Sequence, residues 1–238
     1  DVDAYLARVD KMGTEISKKF QTTANANTKR DALHTYLFLE NGFHGGSTEY
    51  YHPANSHLNR VIDDREGLPI TLSILYMELG RRIGIETEGV GLPGHFIVRQ
   101  VINDNHQKLI DVFERGKILT TDDAAKLVAI RSNRSITAAD LQAQTPTEIL
   151  NRVLGNLISV AGDQQDAEAI NRYCEASVAI QPDSILARRM RSQIRMMTGR
   201  NAAAIEDLDW LIDHDDEGFA QTEATRLRQA LLEQTEDE

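Results

Sequence analysis

Residues 65–100, REGLPITLSILYMELGRRIGIETEGVGLPGHFIVRQ, decide the fold. Gly67-Leu68-Pro69 leads into a strongly apolar segment. Proline suits a first helical turn, where its missing N–H would have no intrahelical partner. Leu72, Leu75, Leu79 and Ile83 recur on one helical face, and Ile70, Ile74 and Met77 form a second. Only Thr71, Ser73, Tyr76, Glu78 and Gly80 interrupt the apolar surface, and a helix apolar on so many sides is buried. Arg81 and Arg82 favour the last turn, and Gly84 is a natural residue just past the end. Strand patterns follow, and Pro93-Gly94-His95 lifts one histidine to the start of the second strand. Sixteen residues further on, Asp111 stands inside the apolar run LIDVF.

Working outward, Tyr5, Val9, Met12, Ile16 and Phe20 recur at helical spacing and predict a helix over residues 1–20. A second helix is expected over 31–41, ending near Gly42. Residues 42–57 are punctuated by glycine and proline and read as an irregular loop. Asn55-Ser56 is expected to cap a short helix over 58–64. Strands are expected near 86–91, 95–102 and 108–112, the last two joined by a hairpin turn at Asn103-Asp104-Asn105. Thr121-Asp122-Asp123 is expected to cap a helix through Val128, and residues 137–141 to start another. Thr145-Pro146-Thr147-Glu148 is a helix-start signal at a change of composition. It divides the chain into 1–145 and 146–238.

The second part reads as wholly helical: 147–161, 166–180, 184–198, 202–213 and 219–234. Ala169-Ile170 and Ala204-Ile205 are offset by 35 residues, and Gly162 and Gly199 are each expected to close a first helix. The nearest known period is the tetratricopeptide pair, roughly 34 residues, and Ala-Ile-Gln-Pro-Asp at 179–183 resembles its ending. Leu154, Ile170, Leu186 and Ile205 are expected to face inward. So few repeats are expected to lean on the first domain, and the acidic end, residues 233–238, to fray.

The 238 residues are 41% hydrophobic and 26% charged, ordinary for a globular protein. A net charge of −11 argues against non-specific binding to nucleic acid or anionic membrane. One cysteine excludes an internal disulfide framework, and no Cys/His cluster points to zinc or another metal. No cofactor is expected, and no apolar run approaches the roughly 18 residues of a membrane span. The chain opens at Asp1 without a methionine, which reads as a piece of a longer protein. A cytoplasmic location is expected, with a preceding targeting segment left open.

NSHLNRVIDDREGLPITLSILYMELGRRIG, followed by GVGLPGHFIV and LIDVF, resembles the transglutaminase-like domain of bacterial proteins named after an invasion-gene regulator (Sir, B-type). That resemblance is dense over residues 55–119. It implies an α+β, papain-like or transglutaminase-like core, with a buried helix packed on a small antiparallel sheet. An all-α tail of tetratricopeptide-like repeats would follow. The wider superfamily carries Cys, His and Asp in that order. His95 matches the His and Asp111 the Asp, while the Cys position falls at or beside Pro69. The chain thus departs from the enzyme pattern at the nucleophile.

Each remaining residue has a functional and a plain reading. His95 and Asp111 are a catalytic dyad or a structural pair. Thr71 and Ser73 are replacement nucleophiles, or a cap and a small packing residue. Asn55, Asn59 and Arg60, together with Thr71, Ser73 and Tyr76, either line a ligand groove or order the loop and helix. Cys174 is a small buried hydrophobe, and His52 and His57 are exposed loop residues. The leading reading is a non-catalytic scaffold, a regulator that binds a protein partner through its helical tail. The alternative is an amidase, peptidase or acyltransferase, with Thr71 or Ser73 attacking, His95 as base and Asp111 as its orienter. A third reading is a fold retained only to present the repeats.

Overall fold

The computed structural model describes residues 1–46, 52–103, 106–215 and 218–236. They form two compact units, Asp1–Ile149 and Leu150–Glu238. The first unit is α+β and the second is all helix.

In the first unit, α1 (Val2–Ser17) is followed by α2 (Ala26–His34). Asn25 caps α2 by accepting from the Thr28 N–H, so this helix starts earlier than the apolar pattern predicts. It gives way to a π-helical stretch, Thr35–Glu40, where the Asn41 N–H reaches back five residues to the Tyr36 carbonyl. β1 (His44–Gly45) pairs in parallel with β2 (Glu66–Gly67), on either side of α3 (Leu58–Asp64).

The expected cap of α3 is corrected. His57 holds that position without a side-chain bond, while Asn55 and Ser56 are buried in a 3-10 turn, Pro53–Ser56. Asn55 has another task, because its carbonyl accepts from Thr71 and from the Leu68 N–H.

The central helix is α4 (Pro69–Arg82). Leu72, Leu75, Tyr76 and Leu79 are all but inaccessible. Burying each of the three leucines contributes about 1.5–3 kcal/mol. At the C-terminal end, Gly84 takes φ +72°, its N–H donates to the Arg81 carbonyl, and the Ile85 N–H donates to Gly80. That pair of bonds satisfies two orphan carbonyls, and glycine adopts the left-handed turn without a Cβ penalty.

Four strands form one antiparallel meander: β3 (Glu86–Val90), β4 (Ile97–Asn103), β5 (His106–Asp111) and β6 (Lys117–Leu119). The last was not apparent in the sequence. Of the expected hairpin turn, residues 104 and 105 lie outside the described residues. Alternation along the strands gives the sheet two covered faces. Val98 and its partner Ile110 join the α4 core. Val90, Ile97 and Leu119 instead join Ala124 and Val128 of α5 (Thr121–Ser132). Thr120, one residue ahead of the expected cap, starts α5, which runs past Val128 until Asn133 turns left-handed. The helix expected over 137–141 is only a 3-10 turn, Ala139–Leu141, held by Asp140 accepting from the Thr137 N–H.

The second unit runs through α6 (Pro146–Asp163), α7 (Ala167–Ile180), α8 (Ile185–Met197), α9 (Asn201–His214) and α10 (Phe219–Glu236). Gly199 closes α8 with φ +70°, but Gly162 lies inside α6, where Gln165 makes the left-handed turn instead. Ile170 and Ile205 are partly buried, whereas Leu186 is 66% exposed, against expectation. Ile185 packs into the α9–α10 core, and the charged stripe of α8 turns inward beside it. Arg188, Arg191 and Arg195 all reach the Asp207 carboxylate, which is itself buried. Residues 237–238 of the expected frayed end are outside the described residues. Among the described residues, no helix is long and apolar enough to cross a membrane.

Candidate functional site

Gly94, at φ +68°, turns the chain into His95 two residues before β4, while Asp111 ends β5. His95 Nε2 lies 2.9 Å from Asp111 Oδ2, and the two side chains are 0% and 1% exposed. The other carboxylate oxygen, Oδ1, accepts the Glu114 N–H at 3.2 Å. A carboxylate only accepts, so with Asp111 as acceptor the imidazole would donate from Nε2 and keep Nδ1 as its basic nitrogen. That is the arrangement of an oriented base.

Behind the pair, the Phe113 ring meets His95 edge-on at 6.1 Å. β1 passes so close that a Cβ on Gly45 would lie 2.5 Å from the Phe113 ring. A Cβ on neighbouring Gly46 would lie 2.8 Å from both the Asn55 amide nitrogen and Glu66 Oε1. Glycine is what allows backbone, amide and carboxylate to approach one another here. Phe113, the Gly45-Gly46 pair and Glu66 were not singled out in the sequence. The glycine pair and the acidic residue before Gly67 were the only signals for them.

The candidate nucleophiles are placed differently. Thr71 Oγ1 lies 2.7 Å from the Asn55 carbonyl, to which it donates, and accepts the Leu68 N–H at 3.0 Å. It is the fastener of the α4 start, and 2% exposed. Ser73 is fully buried, and its Oγ has no hydrogen-bond partner among the described residues. Tyr76 is also fully buried and bonds His34 Nε2 at 2.9 Å. Burial pushes the Tyr76 phenol well above its ordinary range, and burial together with the Arg30 charge pulls His34 down to about 4.

The six groove candidates are not brought to one surface. Asn55, Thr71, Ser73 and Tyr76 are interior, while Asn59 and Arg60 are exposed on α3, where Arg60 pairs with Asp64 at 3.0 Å. His52 is exposed and His57 half-buried. In the second unit, Cys174 is 1% exposed and burial pushes its thiol up to about 11, away from thiolate at neutral pH. Among the described residues, no group of three or more His, Cys, Asp or Glu is placed to hold a metal ion.

A family model described as transglutaminase-like superfamily (Transglut_core2) matches residues 3–155, which take in the whole site. The chain belongs to the transglutaminase-like superfamily. Among curated proteins it is similar to a UPF0162 protein of Xylella fastidiosa, at 32% identity over 76% of this chain and 66% of that one. It is also similar to a UPF0162 protein of Pseudomonas aeruginosa, at 29% identity over 64% of this chain and 55% of that one. Human F-box only protein 21 is 28% identical over 65% of this chain and 26% of its own length. The chain therefore spans just under two thirds of the Xylella relative and about a quarter of the human one. No solved structure matches it.

Proposed function

We propose that this chain is a non-catalytic transglutaminase-like protein, a regulatory scaffold of the Sir B-type kind that binds a protein partner through its tetratricopeptide-like helices. One observation carries the reading. The hydroxyl nearest the start of α4 is engaged twice, donating to Asn55 and accepting from Leu68, so Thr71 acts as a structural cap. A nucleophile needs an approachable lone pair beside its base. The His95–Asp111 pair then serves to tie β4 to β5. Leu186, Leu150 and Met197, exposed on the helices of the second unit, are apolar contacts available to a partner.

A second reading has one observation in its favour. Ser73 Oγ is buried without a partner among the described residues, and buried hydroxyls without a partner call for an explanation. In that reading Ser73 attacks an acyl group with His95 as base.

The test is turnover. Ammonia release from glutaminyl peptides and amine release from peptide amides are followed with micromolar protein over hours. The proposal expects no release above buffer. Release that is lost in Ser73→Ala and His95→Ala would contradict it.

A further inference from the structure

A concavity of 150 Å³ lies in the first unit on elements that the dyad does not use. Its floor is apolar: Met12 of α1, Phe43 after the π-helical stretch, and Ile62 of α3, all buried. Its walls carry Arg8, Lys11 and Arg65 beside the Glu15 carboxylate, which Lys11 faces at 4.0 Å, while Arg8 is ion-paired with Asp63. The Glu15 carboxylate already accepts the Tyr36 hydroxyl at 2.6 Å. Counting Glu15 and Asp63 against Arg8, Lys11 and Arg65 leaves one positive charge in excess at this concavity, in a chain of net charge −11.

Arg65 is held there by its backbone. It ends α3 in the left-handed conformation, φ +61°, with its N–H donating to Val61 and its carbonyl accepting from His44. Glycine would take that conformation without the steric cost that an L side chain bears. A π-helical stretch lies beside the concavity, and such stretches recur at functional sites.

We propose that this concavity binds a small organic carboxylate, its acid group between Arg65, Arg8 and Lys11 and its short carbon chain on Phe43, Met12 and Ile62. The volume falls below the ~300–1,000 Å³ of sites for drug-sized molecules, which limits the ligand to a few carbons. Guanidinium forks match a carboxylate, and the apolar floor requires a carbon stem. Glu15 on the wall disfavours a dianion, so a monocarboxylate is preferred to phosphate.

The test titrates the full chain, labelled with nitrogen-15, with butyrate and separately with inorganic phosphate at constant ionic strength. The proposal expects butyrate to shift the amides of Met12, Asn41 and Arg65 saturably and to bind more tightly than phosphate. Arg65→Gly keeps the turn and removes the cation, and should weaken butyrate about tenfold, the scale of one charge-assisted hydrogen bond. Lys11→Gln, on an exposed helix face, leaves the fold alone and should weaken it in the same direction. Shifts that do not saturate, affinity unchanged in both variants, or phosphate binding more tightly than butyrate would overturn the proposal.

Discussion

Thr71 Oγ1 donates a 2.7 Å hydrogen bond to the Asn55 carbonyl, joining the start of the central helix to the turn before α3. The same oxygen accepts the Leu68 N–H, so one buried hydroxyl satisfies two backbone groups. Removing it by Thr71→Val keeps the shape and leaves the two groups only the long 3.4 Å bond from the Leu68 N–H to the Asn55 carbonyl. A loss of about 2 kcal/mol is expected from a cap and a buried bond of this kind. Thr71→Ser, which keeps the hydroxyl, should lose less. Denaturant midpoints of the two variants check the order, and a Thr71→Val protein as stable as the parent would show that the bond contributes nothing.

Stability should fall on mild acidification because of His34. Its folded pKa, about 4, is below the unfolded value of about 6.5, chiefly through burial. The unfolded chain therefore takes up a proton that the folded chain refuses. The contribution of His34 is complete above about pH 6.5 and is lost as pH falls toward 4, on the order of 2 kcal/mol after allowing for its partial exposure. Unfolding free energies between pH 7 and pH 4 should show the slope, and His34→Gln should flatten it. An unchanged slope in that variant would assign the acid loss to other groups.

Asp207 is 1% exposed and faces Arg188, Arg191 and Arg195. Replacing it with alanine leaves three guanidinium groups without their buried counter-charge. Breaking a buried pair on one side costs about 3–5 kcal/mol. Calorimetry of Asp207→Ala should show a large loss in the helical unit, and a melting temperature equal to the parent's would refute the role given to this network.

The parts legible in the sequence are those with a strong period or an unambiguous signal. All five helices of the second unit were expected from the sequence, and the structure adds the caps Asp166 and Ser184 that start two of them. Pro69, Gly84 and the basic last turn similarly mark α4. The His95–Asp111 contact is what the resemblance to the transglutaminase-like domain implies for its His and Asp. What failed had a physical cause in each case. β6 is three residues long, too short to show alternation. Leu186 was expected inside, but the arginine stripe took that face because Asp207 and Glu175 await it there. Asn55 reads as a cap by residue type, yet its backbone carbonyl is what the fold uses. Glu66 and Phe113 meet the glycine pair only through the pairing of β1 with β2, which two residues per strand cannot announce.

The central claim, that no side chain of this transglutaminase-like protein acts as a nucleophile, is tested most directly by covalent labelling. The full chain is exposed to fluorophosphonate and to haloacetamide probes and analysed by intact and peptide mass spectrometry, beside His95→Ala. Thr71 is engaged, Ser73 is enclosed, and burial pushes the Cys174 thiol up to about 11. The account predicts no stoichiometric adduct in either protein. A single adduct on Ser73 or Thr71 that disappears in His95→Ala would contradict it and establish an activated hydroxyl at the head of α4.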